Sequence, residues 1–307
     1  MFGRIGILMG GISSEREISL KSGNAVLNSL KNQGLDVVVF DIKENNSKKI
    51  EELLKNSGIN LAFIALHGKF GEDGAIQKIL EKLKIPYTGS KVRASKLAMD
   101  KVSSRSIFKK NKLPIPEFMV FYKNKFKRNV LKKISEFPVV VKPSNGGSSI
   151  GVSFVMRKEN LNQAIDIAFN YDEKIIIEKY IKGRELTVGI FEENSLPVIE
   201  IVPKSSFFDY NAKYQKGVTE YIVPAQLPED ISSRVQVVGL KAHKALGCCG
   251  FSRVDMILNE DNVPMVLEVN TIPGLTETSL LPKAAQIKGI GFNELCLRML
   301  KSSYKPR

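Results

Sequence analysis

Residues 250–274 read GFSRVDMILNEDNVPMVLEVNTIPG, and the parsing of this stretch decides the fold. Two strand-like runs, 250–258 and 265–269, flank the polar turn 259–262, the pattern of an antiparallel hairpin. Side chains alternate along a strand, so Arg253, Asp255, Glu268 and Asn270 share one face when the two runs pair. Val254, Met256, Val266, Leu267 and Val269 are then expected on a buried opposite face. Two carboxylates and an amide oxygen form a hard-oxygen set suited to Mg²⁺ held against phosphates. An arginine beside them can offset charge on a transferring phosphoryl group. A salt-bridge cluster on a solvated sheet face would show the same spacing, so the pattern alone leaves both readings open.

Two upstream segments carry compatible chemistry. A strand over 139–142 ends in Lys142 and opens the loop 143–151, PSNGGSSIG. Such a loop offers backbone N–H groups and hydroxyls to phosphates. It lacks the GK[ST] ending of a Walker loop, and it is long for a plain hairpin turn. The apolar strand 175–179 ends in Glu178-Lys179, with Ile181 and Glu185 following. It could present backbone groups to a base and a carboxylate to ribose hydroxyls. An ordinary edge strand has the same spacing.

The N-terminal ninety or so residues alternate strand and helix: strands at 4–9, 37–40 and 61–66, helices at 15–30, 48–55 and 75–83. This order predicts a parallel sheet with right-handed crossovers, whose ligands sit beyond the carboxyl ends of the strands. The loops 10–15 and 67–74 lie there, the second opening on His67. Two helical stretches over 90–110 and a proline-containing link at 113–117 lead to a second pattern starting at Phe137, with a strand at 152–155 and a helix at 161–169. Strands at 186–191 and 198–202, the polar loop 204–220, a helix at 231–246, the hairpin and a helical tail complete the chain. The fold class is α/β (α+β), divided into residues 1–92 (an N-terminal α/β substrate subdomain), 93–182 (a central lobe) and 183–307 (a C-terminal lobe with metal site and lid loop).

Bulk composition narrows the function classes. A chain of 307 residues that is 43% hydrophobic supports two or three subdomains. No apolar run approaches the roughly 20 residues of a membrane helix, and the start, MFGRIGILMGG, predicts a buried strand instead of a leader. A cytoplasmic protein with no membrane partner is expected. Cys248, Cys249 and Cys296 form neither a disulfide framework nor a zinc pattern. The net charge is +14, but its densest patch, KNKFKRNVLKK at 123–133, lacks the aromatic pattern of an RNA-binding module. No nucleic-acid partner is expected.

These segments together resemble the ATP-grasp enzymes, and the N-terminal signature GGISSEREIS at 10–19 resembles that of the D-alanine–D-alanine ligases. The likeness continues through His67-Gly68, Gly71-Glu72-Asp73-Gly74 and Gln77, Lys142-Pro143, Gly147–Gly151, and Asp209-Tyr210 with Ala212-Lys213-Tyr214. It ends with Arg253-Val254-Asp255, Glu268–Thr271, Pro273–Thr276 and Ser279-Leu280. The resemblance implies ATP contacts at Lys101, Lys142, Glu178, Lys179, Ile181 and Glu185, and two Mg²⁺ (or Mn²⁺) ions on Asp255, Glu268 and Asn270. It implies that Glu15 holds the ammonium of the first D-alanine, linked through Ser148 to Tyr214, while Lys213 reaches the terminal phosphate from the lid. Arg253 and the Gly274 N–H would stabilise oxyanions, and Ser279 and Leu280 would take the second D-alanine's carboxylate. The place of His67, at a strand's carboxyl end before a glycine-rich turn, suits a substrate-site role and a structural one equally. A homodimer is the implied assembly. Asn145-Gly146 and Ile272 depart from the commonest pattern without removing a named role. A ligase taking D-lactate as second substrate is the nearest alternative, against which Lys213-Tyr214 argues; another ATP-grasp carboxylate–amine ligase is the next, against which the SSEREIS segment with Glu15 argues.

Overall fold

The computed structural model describes residues 2–203 and 219–303. Its first sheet is parallel, in the order β2-β1-β3, from Ile5–Gly10 (β1), Val37–Ile42 (β2) and Leu61–Ile64 (β3). All of β1 is buried because the sheet is covered on both faces, which also explains its unbroken apolar run. Ile5, Ile7 and Met9 pack towards helix Arg16–Lys31 (α1) and the C-terminal helix Phe292–Ser303. Leu8 packs on the other face with Ile50, Leu54, Ile76 and Leu80 of helices Ser47–Lys55 (α2) and Ala75–Lys82 (α3). At the end of β1 the chain turns through Gly10 and Gly11, both at φ +88°, and a Cβ on Gly10 would lie 2.2 Å from Asp41 Oδ1. Glycine is required there to turn the chain towards α1.

The second sheet has the order β4-β7-β5-β6, from Phe118–Tyr122 (β4), Val139–Pro143 (β5), Ser153–Val155 (β6) and Lys174–Lys179 (β7). All its pairings are antiparallel. Helix Leu161–Phe169 (α6) covers one face through Leu161, Ile165 and Phe169. The second pattern thus starts at β4 and not at Phe137. FMVFY has no polar alternation to mark it, and its edge position leaves Met119 and Tyr122 exposed.

The third sheet, antiparallel, has the order β10-β9-β8-β11-β12, from Gly183–Phe191 (β8), Asn194–Pro203 (β9), Thr219–Ile222 (β10), Phe251–Asn259 (β11) and Pro264–Asn270 (β12). Helix Glu229–Leu246 packs on one face. So do Val92–Met99 (α4) and Lys101–Lys110 (α5), through Ala94, Ala98 and Phe108. These two helices lie within the segment assigned to the central lobe, yet their core contacts are with this sheet. The other face meets helix Leu280–Ile287 through Phe191, Leu196, Phe251, Leu281 and Ala284.

The hairpin β11–β12 pairs Arg253 with Asn270 and Asp255 with Glu268. The register shifts after Asp255, so that Met256 faces Val266 and Leu267 is the extra residue. Leu267 therefore leaves the buried face expected of it and lines a cleft, while Val266 turns into the core. Among the described residues no helix is long and apolar enough to cross a membrane. The three cysteines are free thiols, and burial pushes Cys248 and Cys296 up to about 12.

Candidate active site

A cleft of about 600 Å³ opens between the second and third sheets. Its lining includes Lys101, Lys142, Ser148, Glu178, Lys179, Ile181, Glu185, Asp255 and Glu268. The volume suits a small-molecule or cofactor site. Its apolar walls, including Phe154, Met156, Ile257 and Leu267, were not singled out by sequence. Val152, Phe154 and Met156 all face the cleft, so the period-2 alternation was the signal available.

The cationic wall is built by local capping. Asp100 accepts hydrogen bonds from the N–H groups of Val102 and Ser103 and so caps α5. It also accepts from Ser144 Oγ and Lys174 Nζ, both at 2.6 Å, which ties α5 to the root of the 143–151 loop. Lys101 is thereby held with Nζ donating to the Gly146 carbonyl at 2.5 Å and 3.8 Å from Glu268 Oε2. Lys142 Nζ donates to Glu178 Oε1 at 2.5 Å, and Arg105 Nη2 donates to Glu178 Oε2 at 2.8 Å. Burial alone would push the Glu178 carboxyl up, but the charges of Lys142 and Arg105 hold it below its ordinary value. Burial pushes the Lys142 ammonium down, against the pull of Glu178. Lys179 instead points outward, to Glu136 at 3.0 Å.

Asp255 lies at the junction of the cleft and the hairpin. It accepts from Arg253 Nε and Nη2 at 2.9 and 2.8 Å, from Thr187 Oγ1 at 2.6 Å and from Asn270 Nδ2 at 3.0 Å. Glu268 stands across the strand pair from Asp255. No group of three His, Cys, Asp or Glu side chains capable of holding a metal occurs among the described residues. The set here has two carboxylates with an amide, a donor chemistry that fits a hard divalent cation carried in with phosphates.

Beyond the hairpin the chain turns through 271–279. His67 sits at the carboxyl end of the first sheet, 4% exposed. Its Nδ1 is 2.9 Å from the Ile272 carbonyl and its Nε2 is 3.1 Å from Ser22 Oγ. A carbonyl only accepts, so Nδ1 carries the proton and Nε2 accepts from Ser22. Ser22 Oγ in turn accepts from the Leu275 N–H at 3.1 Å. This relay grips the turn on either side of Gly274, so His67 is bonded to backbone and to Ser22. On the far side of the turn, Ser279 Oγ accepts from the Thr276 N–H at 3.1 Å, and a Cβ on Gly274 would lie 3.0 Å from that oxygen. Leu280, half-buried, begins the helix that follows.

Desolvation lowers the His67 pKa from 6.5 to about 4, so the ring is neutral. The folded value lies below the unfolded one. The linked stability is therefore fully present above pH 6.5 and is lost as pH falls towards 4. Wild-type protein is expected to lose about 3 kcal/mol from this group between pH 7 and pH 4. Urea unfolding of wild type and His67→Gln should show the stability gap narrowing by that amount; a constant gap would contradict the neutral, buried ring.

Glu15 reaches this region from the turn before α1. Ser148 Oγ donates to Glu15 Oε1 at 2.5 Å, joining the first sheet to the 143–151 loop. Ser148 and Ser149 both hold positive φ, 54° and 59°, which aims the loop at Glu15. Arg16 fixes the turn beneath Glu15 by donating to the Gly11 and Ile42 carbonyls and to Asp41. Glu72, not singled out earlier except within a motif, accepts from the Gly68 N–H at 2.8 Å. Desolvation and the nearby Glu15 charge push its carboxyl up to about 8. Lys213 and Tyr214, with residues 204–218 of the expected lid, lie outside the described residues.

The family model described as D-ala D-ala ligase C-terminus matches residues 107–301, and the one described as D-ala D-ala ligase N-terminus matches residues 43–90. The D-alanine–D-alanine ligase of Geotalea uraniireducens is 47% identical over 300 residues, spanning 98% of this chain and 95% of that protein. The solved D-alanine–D-alanine ligase from Bacillus anthracis superposes with a TM-score of 0.87 at 40% identity, covering 98% of this chain and 97% of that one. A solved D-alanine–D-alanine ligase from Bacillus anthracis complexed with ATP gives 0.85 at 36% identity, covering 98% of this chain and 97% of that one. A D-Ala:D-Ser ligase from Enterococcus faecalis gives 0.85 at 28% identity, over 99% of this chain and 100% of that one.

Proposed function

We infer the division of labour in this site from one premise: the chain belongs to the D-alanine–D-alanine ligase family, has the ATP-grasp fold and is an ATP-dependent ligase joining two D-alanine molecules for peptidoglycan precursor synthesis. The reaction has two steps. A carboxylate oxygen of the first D-alanine takes the γ-phosphoryl group of ATP; the bond to the β,γ-bridging oxygen breaks and ADP leaves. The amine of the second D-alanine then attacks the acyl carbon, and the tetrahedral oxyanion collapses with loss of phosphate and a proton.

The observation that carries the residue roles is the Asp255–Glu268 cross-strand pair, flanked by Arg253 and Asn270, facing the same cleft as Lys101 and Lys142. Lys101 and Lys142 would meet the phosphates, with Glu178, Lys179, Ile181 and Glu185 forming the nucleoside end. Asp255, Glu268 and Asn270 would hold two Mg²⁺ (or Mn²⁺) ions, which supply positive charge to the phosphates when bound. Glu15, held by Ser148, would take the ammonium of the first D-alanine. The Gly274 N–H and Arg253 would receive the oxyanion, and the His67–Ser22 relay would hold Gly274 in place. Ser279 and Leu280 would take the carboxylate of the second substrate. Lys213 and Tyr214 keep the roles that the resemblance implies. A cytoplasmic homodimer fits the family; light scattering showing a monomer at micromolar concentration would sink that assembly.

The direct test is phosphate release from ATP and Mg²⁺ with D-alanine, L-alanine, or D-alanine plus D-lactate. Release that requires D-alanine and yields the dipeptide is expected. Release that yields only a D-alanyl ester with D-lactate would favour the alternative substrate.

A further inference from the structure

Arg105 lies four residues after Lys101 on α5, and its side chain is completely buried. It bridges two lobes. Nη2 donates to Glu178 on β7, and Nη1 donates to the Val266 carbonyl on β12, next to the extra residue Leu267. Glu178 in turn carries Lys142, which lines the cleft. Two positive groups therefore share one buried carboxylate. Without Arg105, Lys142 and Glu178 would form a neutral pair, and the ammonium would be committed to its own neighbour. With Arg105 in place, the group as a whole keeps one positive charge facing the cleft.

Packing alone does not call for this arrangement. A buried arginine is expensive to desolvate, and apolar residues of similar volume often replace buried ion pairs without loss of stability. A net positive charge at the cleft floor has a use only if an anion binds there.

We propose that Arg105 is a positioning residue for nucleotide phosphates: it neutralises Glu178 so that Lys142 keeps its charge for the phosphate chain. Its second bond holds the strand position that carries Leu267 and Glu268 into the cleft. The inference rests on the reading of this cleft as the ATP site. Arg105 is fully enclosed, so it acts on the ligand only through Lys142, Glu178 and β12.

The test compares ADP with adenosine, titrated calorimetrically into full-length protein with Mg²⁺. The two ligands share base and ribose and differ in phosphate charge. The wild type is expected to prefer ADP. Arg105→Gln should cut that preference about tenfold, with adenosine affinity little changed. Arg105→Lys should recover most of it, because charge is the property required. The double variant Arg105→Gln/Glu178→Gln leaves Lys142 unpaired and should also restore the preference, and it avoids a stranded buried carboxylate if the single variant fails to fold. Equal weakening of both ligands in Arg105→Gln, or a double variant without phosphate preference, would overturn the proposal. An unchanged preference in folded Arg105→Gln would overturn it while leaving the ATP site intact. A wild type that does not prefer ADP would remove the ATP-site reading and the proposal with it.

Discussion

Arg253→Gln is expected to lower kcat about a thousandfold while nucleotide still binds in the cleft. Arg253 is fixed by a bidentate bond to Asp255, and its charge is felt at both His67 and Glu72. It therefore stands between the proposed metal set and the turn that presents Gly274. On the proposed roles, negative charge would develop at that position twice, on the transferring phosphoryl group and then on the tetrahedral oxyanion. A preorganised cation there lowers both barriers without contributing equally to substrate binding, so the loss should fall on kcat. The fold should survive, since Arg253 is partly exposed and Asp255 keeps Thr187 and Asn270 as donors. Phosphate release at saturating ATP and D-alanine is the measurement. Activity within tenfold of wild type would remove Arg253 from the chemistry.

Glu268→Gln should reduce kcat/KM by about a hundredfold or more and move the Mg²⁺ requirement to higher concentration. The change keeps the shape of the side chain and removes one carboxylate from a set of two. A neutral amide oxygen is a weaker ligand for a hard divalent ion. Stability should stay within about 0.5 kcal/mol, because the Glu268 side chain is partly solvated and its ion pair with Lys101 is long, at 3.8 Å. Activity as a function of Mg²⁺ concentration, with thermal unfolding as the control, checks both halves. Turnover at the wild-type Mg²⁺ optimum would refute the metal assignment.

The parts of this protein that were legible in its sequence are those written in local periodicity. The apolar run over 4–9 marked a buried parallel strand, observed as Ile5–Gly10, and the spacing over 161–169 marked α6 to the residue. Alternation in 253–255 and 268–270 placed Arg253, Asp255, Glu268 and Asn270 together, as the observed register does. The misses have equally local causes. Phe118–Tyr122 carries no polar alternation, so β4 was absent. A one-residue bulge is invisible to a period-2 reading, so Leu267 was put on the wrong face.

Period-2 and period-3.6 patterns determine which side of its own element a residue occupies, because side-chain direction follows backbone geometry over a few residues. The sequence by itself therefore determined most of the strands and helices, β4 and β10 excepted, and the face that carries the carboxylates. Which faces meet is a matter of tertiary packing. The Ser148–Glu15 bond spans 133 residues, His67–Ile272 spans 205, and Arg105 reaches Glu178 across 73 and Val266 across 161. Only the docking of the three sheets against one another decided those partnerships. Burial and desolvation, which turn a motif histidine into a neutral clamp and a helix arginine into a counter-charge, exist only once the lobes have closed on them.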